Sequence, residues 1–132
     1  MIAVDEFQNE AHAWLDANRT HAPRDYGAIC PPDLVDHGLE WHRRVHAAGF
    51  AGIHWPTEFG GRGLTAAHNA VWQYECALAG VPSVFNMVGL VLAGGAIQKF
   101  GTPEQQERFL PAFMRGDVRF SISISEPSAG SD

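Results

Sequence analysis

The chain has 132 residues, with 15 acidic and 9 basic side chains and a formal charge of −6. This length fits one domain of roughly 100–150 residues, and the charge excludes the basic stripe that a nucleic-acid binder needs. Apolar residues make up 45% and charged ones 18%, below a typical charged share of ~25%, so the chain can bury enough surface to order itself. No apolar run approaches the ~20 residues of a bilayer span, and the acidic start MIAVDEFQNEAHAW lacks the basic stretch of an export signal.

The first segment, Asp5 to Asn18, spaces Phe7, Ala11, Trp14 and Leu15 by three and four residues, which predicts an amphipathic helix. Thr20 to Asp33 holds three prolines and a glycine and reads as a linker. Pro31, Pro32 and Asp33 open a second helix carrying Leu34, Gly38, Leu39, Trp41 and Val45, which ends at Gly49. From Phe50 to Leu64 no periodicity survives. Gly60, Gly61, Gly63 and Pro56 specify a rigid loop, with Trp55 and Phe59 as its anchors.

Thr65 is the expected N-cap of a third helix running to about Leu78. Ser83 is read as the cap of a fourth. The almost wholly apolar stretch Val84 to Phe100 predicts a helix buried on nearly all sides. Gly101, Thr102, Pro103 and Gln105 form a strong start for a fifth helix, with a capping box, and Phe109, Leu110 and Phe113 as its core face. Arg119 to Ser125 alternates strictly between apolar and polar, which predicts one β-strand. The fold class is thus all-α, five to six helices ending in a single strand, with residues 1–118 as the helical domain and 119–132 as the start of a second. A strand without a partner cannot complete its ladder, so the chain is expected to stop mid-architecture.

Cys30 and Cys76 lie in a loop and a helix; they are read as free thiols of a reducing cytoplasm with no catalytic role. His42 and His46 are four residues apart, a spacing that can chelate zinc, but no third ligand is placed. They are read as part of a solvated face, with no metal. Trp14, Trp41, Trp55 and Trp72 are read as packing residues. The terminal SEPSAGSD offers hydroxyls at Ser125, Ser128 and Ser131 beside a glycine turn. By composition alone it is either an ordinary polar turn or a ligand cradle.

Three motifs decide between these. FSISISEPSAGSD resembles the signature of the acyl-CoA dehydrogenase family. Gly49-Phe50 through Trp55-Pro56, Glu58, Gly60-Gly61 and Gly63 resembles the loop between that family's early helices. Phe100-Gly101-Thr102-Pro103-Glu104-Gln105, followed by Phe109-Leu110-Pro111 and Gly116, is the third match. Ser128 departs from the commonest pattern, which has glycine there.

The resemblance implies a larger protein: a helical N-terminal domain, a middle β-domain and a C-terminal helical domain, with FAD between them. It implies that Ile122, Ser123, Ile124, Ser125, Gly130 and Ser131 meet FAD, with Ser131 also reaching the acyl-CoA, and that Val84, Phe85 and Val88 approach the acyl tail. The implied reaction is α,β-dehydrogenation of an acyl-CoA to a trans-2-enoyl-CoA, with an electron-transfer flavoprotein as acceptor and a homo- or hetero-oligomer of acyl-CoA dehydrogenase subunits as the assembly. The catalytic glutamate of the family comes from its C-terminal domain, so no catalytic residue is assigned here. The chain by itself is expected to be inactive, to bind FAD weakly or not at all, and to self-associate. The alternative is a noncatalytic helical interaction or scaffold module that keeps the fold and lacks the flavin.

Overall fold

The computed structural model describes residues 1–24, 26 and 30–130. Helices α1 (Val4–Asn18), α2 (Val35–Ala47), α3 (Ala66–Ala79), α4 (Gly94–Phe100) and α5 (Pro103–Arg115) form the body. The helical class expected from the sequence is what the chain adopts. A π-helical stretch, Val88–Ala93, leads directly into α4.

Two apolar cores hold these elements. The first gathers Phe7, Ala11 and Leu15 of α1 with Trp41 and Val45 of α2, Phe50 and Ile53 of the following loop, and Trp72 of α3. Phe50 and Trp72 stack with centroids 4.4 Å apart at 7°, and Trp14 tilts against both rings. The second core joins Trp55, Leu90, Leu110, Phe113 and Met114. The loop between α2 and α3 thus feeds one core through Phe50 and the other through Trp55, with Phe59, the second expected anchor, packed against the latter. Its return is clamped from outside: Arg62 donates to both carboxylate oxygens of Glu10 (2.9 and 3.1 Å) and lies over the Phe7 ring.

Helix ends follow local chemistry. Thr102 and Gln105 exchange backbone bonds in the expected capping box. At α3, Thr65 is capped by a histidine: His68 Nδ1 accepts from the Thr65 backbone N–H (3.3 Å) and lies 2.7 Å from its hydroxyl, while His68 Nε2 donates to Ile2 O (3.1 Å). Gly80 ends α3 with φ +69°, a left-handed turn open to glycine at no steric cost. Gln106 of α5 donates to the last carbonyls of α4, Ile97 O and Gln98 O.

Three sequence expectations need correction. The fourth helix does not begin at Ser83: residues 81–86 carry no helix, and regular structure starts near Met87, because side chains from other elements claim the backbone groups of Pro82, Ser83 and Phe85. Nor is that helix buried all round; Met87, Val91, Leu92 and Phe100 are exposed. The strand expected over Arg119–Ser125 has no partner, and among the described residues the β pairing is the single bridge Glu126–Ala129. Phe120 alone anchors that segment, edge-on to Phe113 at 5.0 Å.

Gly94 is buried where α4 crosses Trp55, and a Cβ there would sit 2.4 Å from the indole ring. Gly→Ala inside a helix ordinarily stabilises by roughly 0.5–1 kcal/mol. At this crossing the sign reverses, because overpacking costs about 1–3 kcal/mol. Gly94→Ala is expected to lower the thermal midpoint followed by circular dichroism, and an unchanged or raised midpoint would refute the contact.

Candidate functional site

The site is built on the segment that follows Gly80. Residues 81–86 have no helix or strand of their own, so their polar backbone groups need partners from elsewhere. Trp41 Nε1 of α2 donates to Pro82 O at 2.7 Å. Trp72 Nε1 of α3 donates to Ser83 O at 3.1 Å. The Phe85 N–H donates to His42 Nδ1 at 3.3 Å. Asn86, itself buried, donates from Nδ2 to Phe113 O (3.2 Å) and Val118 O (2.8 Å). Four side chains on three sides fix this strap to the body.

His42 is fully buried, which overturns its reading as part of a solvated face. Its Nε2 donates to Met114 O at 2.9 Å, so the proton sits on Nε2 and Nδ1 is free to accept from Phe85. Burial, the largest influence, lowers its pKa below the usual histidine value, with His46 and Arg43 acting in the same direction and the Met114 carbonyl opposing them. Among the described residues no group of three histidine, cysteine or acidic side chains gathers to hold a metal ion.

Beside the strap lies a cavity of about 570 Å³, within the ~300–1,000 Å³ of small-molecule sites. Val84, Phe85 and Val88 line it together, the three residues singled out from the sequence. Tyr26, Cys30, Gln73, Cys76, Arg119 and Phe120 complete much of the wall; they come from three separate segments, and no local pattern marks them. Burial pushes the Cys76 thiol well up, and burial first, then the neighbouring Cys30, does the same to the Tyr26 phenol. Both stay protonated and neutral. No Asp, Glu or His is among the described lining residues. The cavity can bind an apolar group, and its described lining holds no carboxylate or imidazole to act as a base.

The flavin residues named from the sequence sit apart from this cavity. Ile122, Ser123, Ile124, Ser125 and Gly130 are all exposed, and Ser131 lies outside the described residues. Arg119 and Phe120, just before them, stand at the cavity wall, so the segment sets out from the cavity. Glu75 is the buried carboxylate that sequence reasoning missed. It accepts from Gln8 Nε2 (2.7 Å) and pairs with His12 Nδ1 (3.0 Å), and these bonds hold it below the usual carboxylate range. It ties α1 to α3 and takes no part in the cavity.

Among the described residues, then, a helical body walls a largely apolar cavity that no Asp, Glu or His lines. The model of the acyl-CoA dehydrogenase N-terminal domain matches residues 5–117, and the chain belongs to the acyl-CoA dehydrogenase family. It is 37% identical over its whole length to the acyl-CoA dehydrogenase IpdE1 of Mycolicibacterium smegmatis, and 36% identical to IpdE1 of Mycobacterium tuberculosis. The chain spans 35% of the length of each of these relatives. Among solved structures it resembles the ChsE4–ChsE5 complex from Mycobacterium tuberculosis, with a TM-score of 0.73, 28% identity, and coverage of 98% of this chain and 33% of that one. A Tcur3481–Tcur3483 steroid ACAD matches with a TM-score of 0.72 and 28% identity over 96% of this chain and 32% of that one.

Trp41 and Trp72 hold adjacent carbonyls of one short strap, so their contributions are coupled. Trp41→Phe and Trp72→Phe each leave a carbonyl without its donor, at about 1–3 kcal/mol. The double variant is expected to cost less than the sum, by at least ~0.5 kcal/mol. Urea unfolding of the four proteins measures this; strict additivity would mean that the two indoles do not share the strap.

Proposed function

We propose that this chain is the N-terminal helical domain of an FAD-dependent acyl-CoA dehydrogenase, with residues 1–118 as that domain and 119–132 entering a second. The reaction is α,β-dehydrogenation of an acyl-CoA thioester to a trans-2-enoyl-CoA. The observation that carries this reading is the apolar cavity walled by Val84, Phe85 and Val88, with Arg119 and Phe120 at its edge leading into the flavin-type segment.

The donor set fits a flavin. Among the described residues, the backbone of 119–125 has no hydrogen-bonded backbone partner, and the Ser123 and Ser125 hydroxyls are exposed. Ile122, Ser123, Ile124, Ser125, Gly130 and Ser131 would hold FAD along that edge. Bound FAD supplies a hydride acceptor for the β-carbon. The chain's own residues bind and shield: Val84, Phe85 and Val88 enclose the acyl tail and keep water from it, while Ser131 would contact the acyl-CoA. Acidification of the α-carbon needs hydrogen bonds to the thioester carbonyl and a base, and no Asp or Glu among the described residues lines the cavity. The base therefore comes from outside this chain's described residues.

The proposed electron acceptor is an electron-transfer flavoprotein, and the proposed location the cytoplasm. Among the described residues no helix is long and apolar enough to cross a membrane. Met87, Val91, Leu92 and Phe100 present an apolar face of the kind that marks a contact surface. A homo- or hetero-oligomer of acyl-CoA dehydrogenase subunits supplies its cover.

The test is to purify the protein in its native assembly and record its visible spectrum. A flavin band bleached by decanoyl-CoA, with formation of the enoyl product, is the expected result; a colourless assembly that binds no acyl-CoA favours a scaffold instead. The 132 residues alone are expected to show no dehydrogenase activity, and micromolar binding in an FAD titration would contradict weak flavin binding. Light scattering on the same sample is expected to report self-association, and a monodisperse monomer at high concentration would count against it.

A further inference from the structure

We propose that His42 is a positioning residue of the acyl cavity: through its bond to the Phe85 N–H it fixes the cavity wall, and its protonation releases that wall. The inference rests on the reading of the cavity as an acyl-CoA site, and concerns a residue that does not line it.

The geometry is specific. One face of the imidazole is committed, since Met114 O can only accept and so places the proton on Nε2 (2.9 Å). The other nitrogen then carries the lone pair that receives the Phe85 N–H (3.3 Å). A second proton on the ring would set Nδ1–H against N–H, turning an acceptor into a donor opposite a donor. Gly116 holds the ring from below; its φ is +78°, and a Cβ there would lie 2.9 Å from His42 Cδ2. Phe85 in turn rests on α2 one helical turn before His42, where a Cβ on Gly38 would come within 2.5 Å of its ring. Tyr26 meets the same ring edge-on, centroids 6.4 Å apart. Phe85 is therefore located by one hydrogen bond and two steric stops, and the bond depends on a titratable partner.

The surroundings favour the neutral ring. On α2 itself Arg43 and His46 are the charged or titratable neighbours. At the end of α5, Arg115 and Asp117 act on His46, with opposite signs. Residues 81–86 contribute no titratable side chain. Burial lowers the His42 pKa, so the unfolded chain takes up the proton first. The contribution to stability is complete above about pH 6.5, the ordinary histidine value, and is lost as pH falls below it until the folded ring also protonates.

Two isosteric variants separate the roles. His42→Asn keeps an acceptor near the Nδ1 position and loses the Met114 bond; His42→Gln keeps a donor toward Met114 O and loses the acceptor for Phe85. Decanoyl-CoA is titrated calorimetrically into the native assembly of each protein between pH 5 and 8, and amide exchange at Phe85 is followed in parallel. The unsubstituted protein is expected to bind with a Kd that stays flat from pH 8 down past the ordinary histidine value of about 6.5 and rises only further into the acid range, where the buried ring takes up its proton. His42→Gln is expected to weaken binding at pH 7.5 by about tenfold, equivalent to ~1.4 kcal/mol, with faster exchange at Phe85 and no further dependence on pH in that window. His42→Asn is expected to restore both affinity and protection.

Gly38→Ala, which displaces the Phe85 ring and leaves His42 intact, is expected to weaken binding while the pH dependence remains, and serves if a His42 variant fails to fold. Equal affinity and equal pH profiles in all variants that fold overturn the role of His42. Failure of the unsubstituted protein to bind decanoyl-CoA at any pH overturns instead the acyl-CoA reading on which the role depends.

Discussion

Everything near the cavity depends on how six residues without secondary structure are kept in place. Residues 81–86 expose backbone carbonyls and amides in a half-buried setting, where an unpaired polar group costs about 1–3 kcal/mol. The fold answers with side chains. Two indole N–H groups, an imidazole and an amide reach in from α2, α3 and the strap itself. Each of these side chains is itself buried, so the strap is fixed by the core and the core's polar atoms are satisfied by the strap. No buried side-chain nitrogen or oxygen is left without a partner among the described residues.

The same economy explains why tryptophan recurs. Trp41 and Trp72 fill the first core with large apolar surfaces and still place one N–H at its edge, a combination that phenylalanine lacks. Trp55 sits in the second core, against the small Gly94. The loop between α2 and α3 carries Phe50 to one cluster and Trp55 to the other. The two cores are thereby joined across the four residues between Phe50 and Trp55.

Local signals made much of this legible. Three- and four-residue spacing located α1 and α2 to within a few residues, and Gly49, Thr65 and Thr102 marked helix ends because capping is short-range chemistry. What escaped was long-range. His42 lies beside Arg43 and Arg44 in sequence, and nothing local distinguishes it from an exposed neighbour; its partner Met114 is 72 residues away. Glu75 stands in an apolar run and is matched by Gln8 and His12, more than sixty residues earlier. The start of the fourth helix was misplaced for the same reason, since Ser83 has a cap's chemistry but its carbonyl is taken by Trp72. In the cavity, Val84, Phe85 and Val88 were singled out through the family resemblance, whereas Tyr26 and Gln73 reach it only through tertiary packing.

The composition of that cavity also bears on how work is divided in the proposed enzyme. A wall built largely of valine and phenylalanine discriminates by shape, and one methylene more or less is worth only ~1–3 kcal/mol in such a site. Sharp selectivity then requires that the wall not drift, because a ring free to swing would accept many shapes equally well. A hydrogen bond to Phe85's backbone, with Gly38 beneath its ring, supplies that rigidity without placing a polar atom where the acyl group goes. Among the described residues the carboxylates and imidazoles stand off this wall, while Tyr26, Cys76 and Arg119 belong to it. In the proposed enzyme, α2 and the strap can thus tune binding through residues other than those that move the proton.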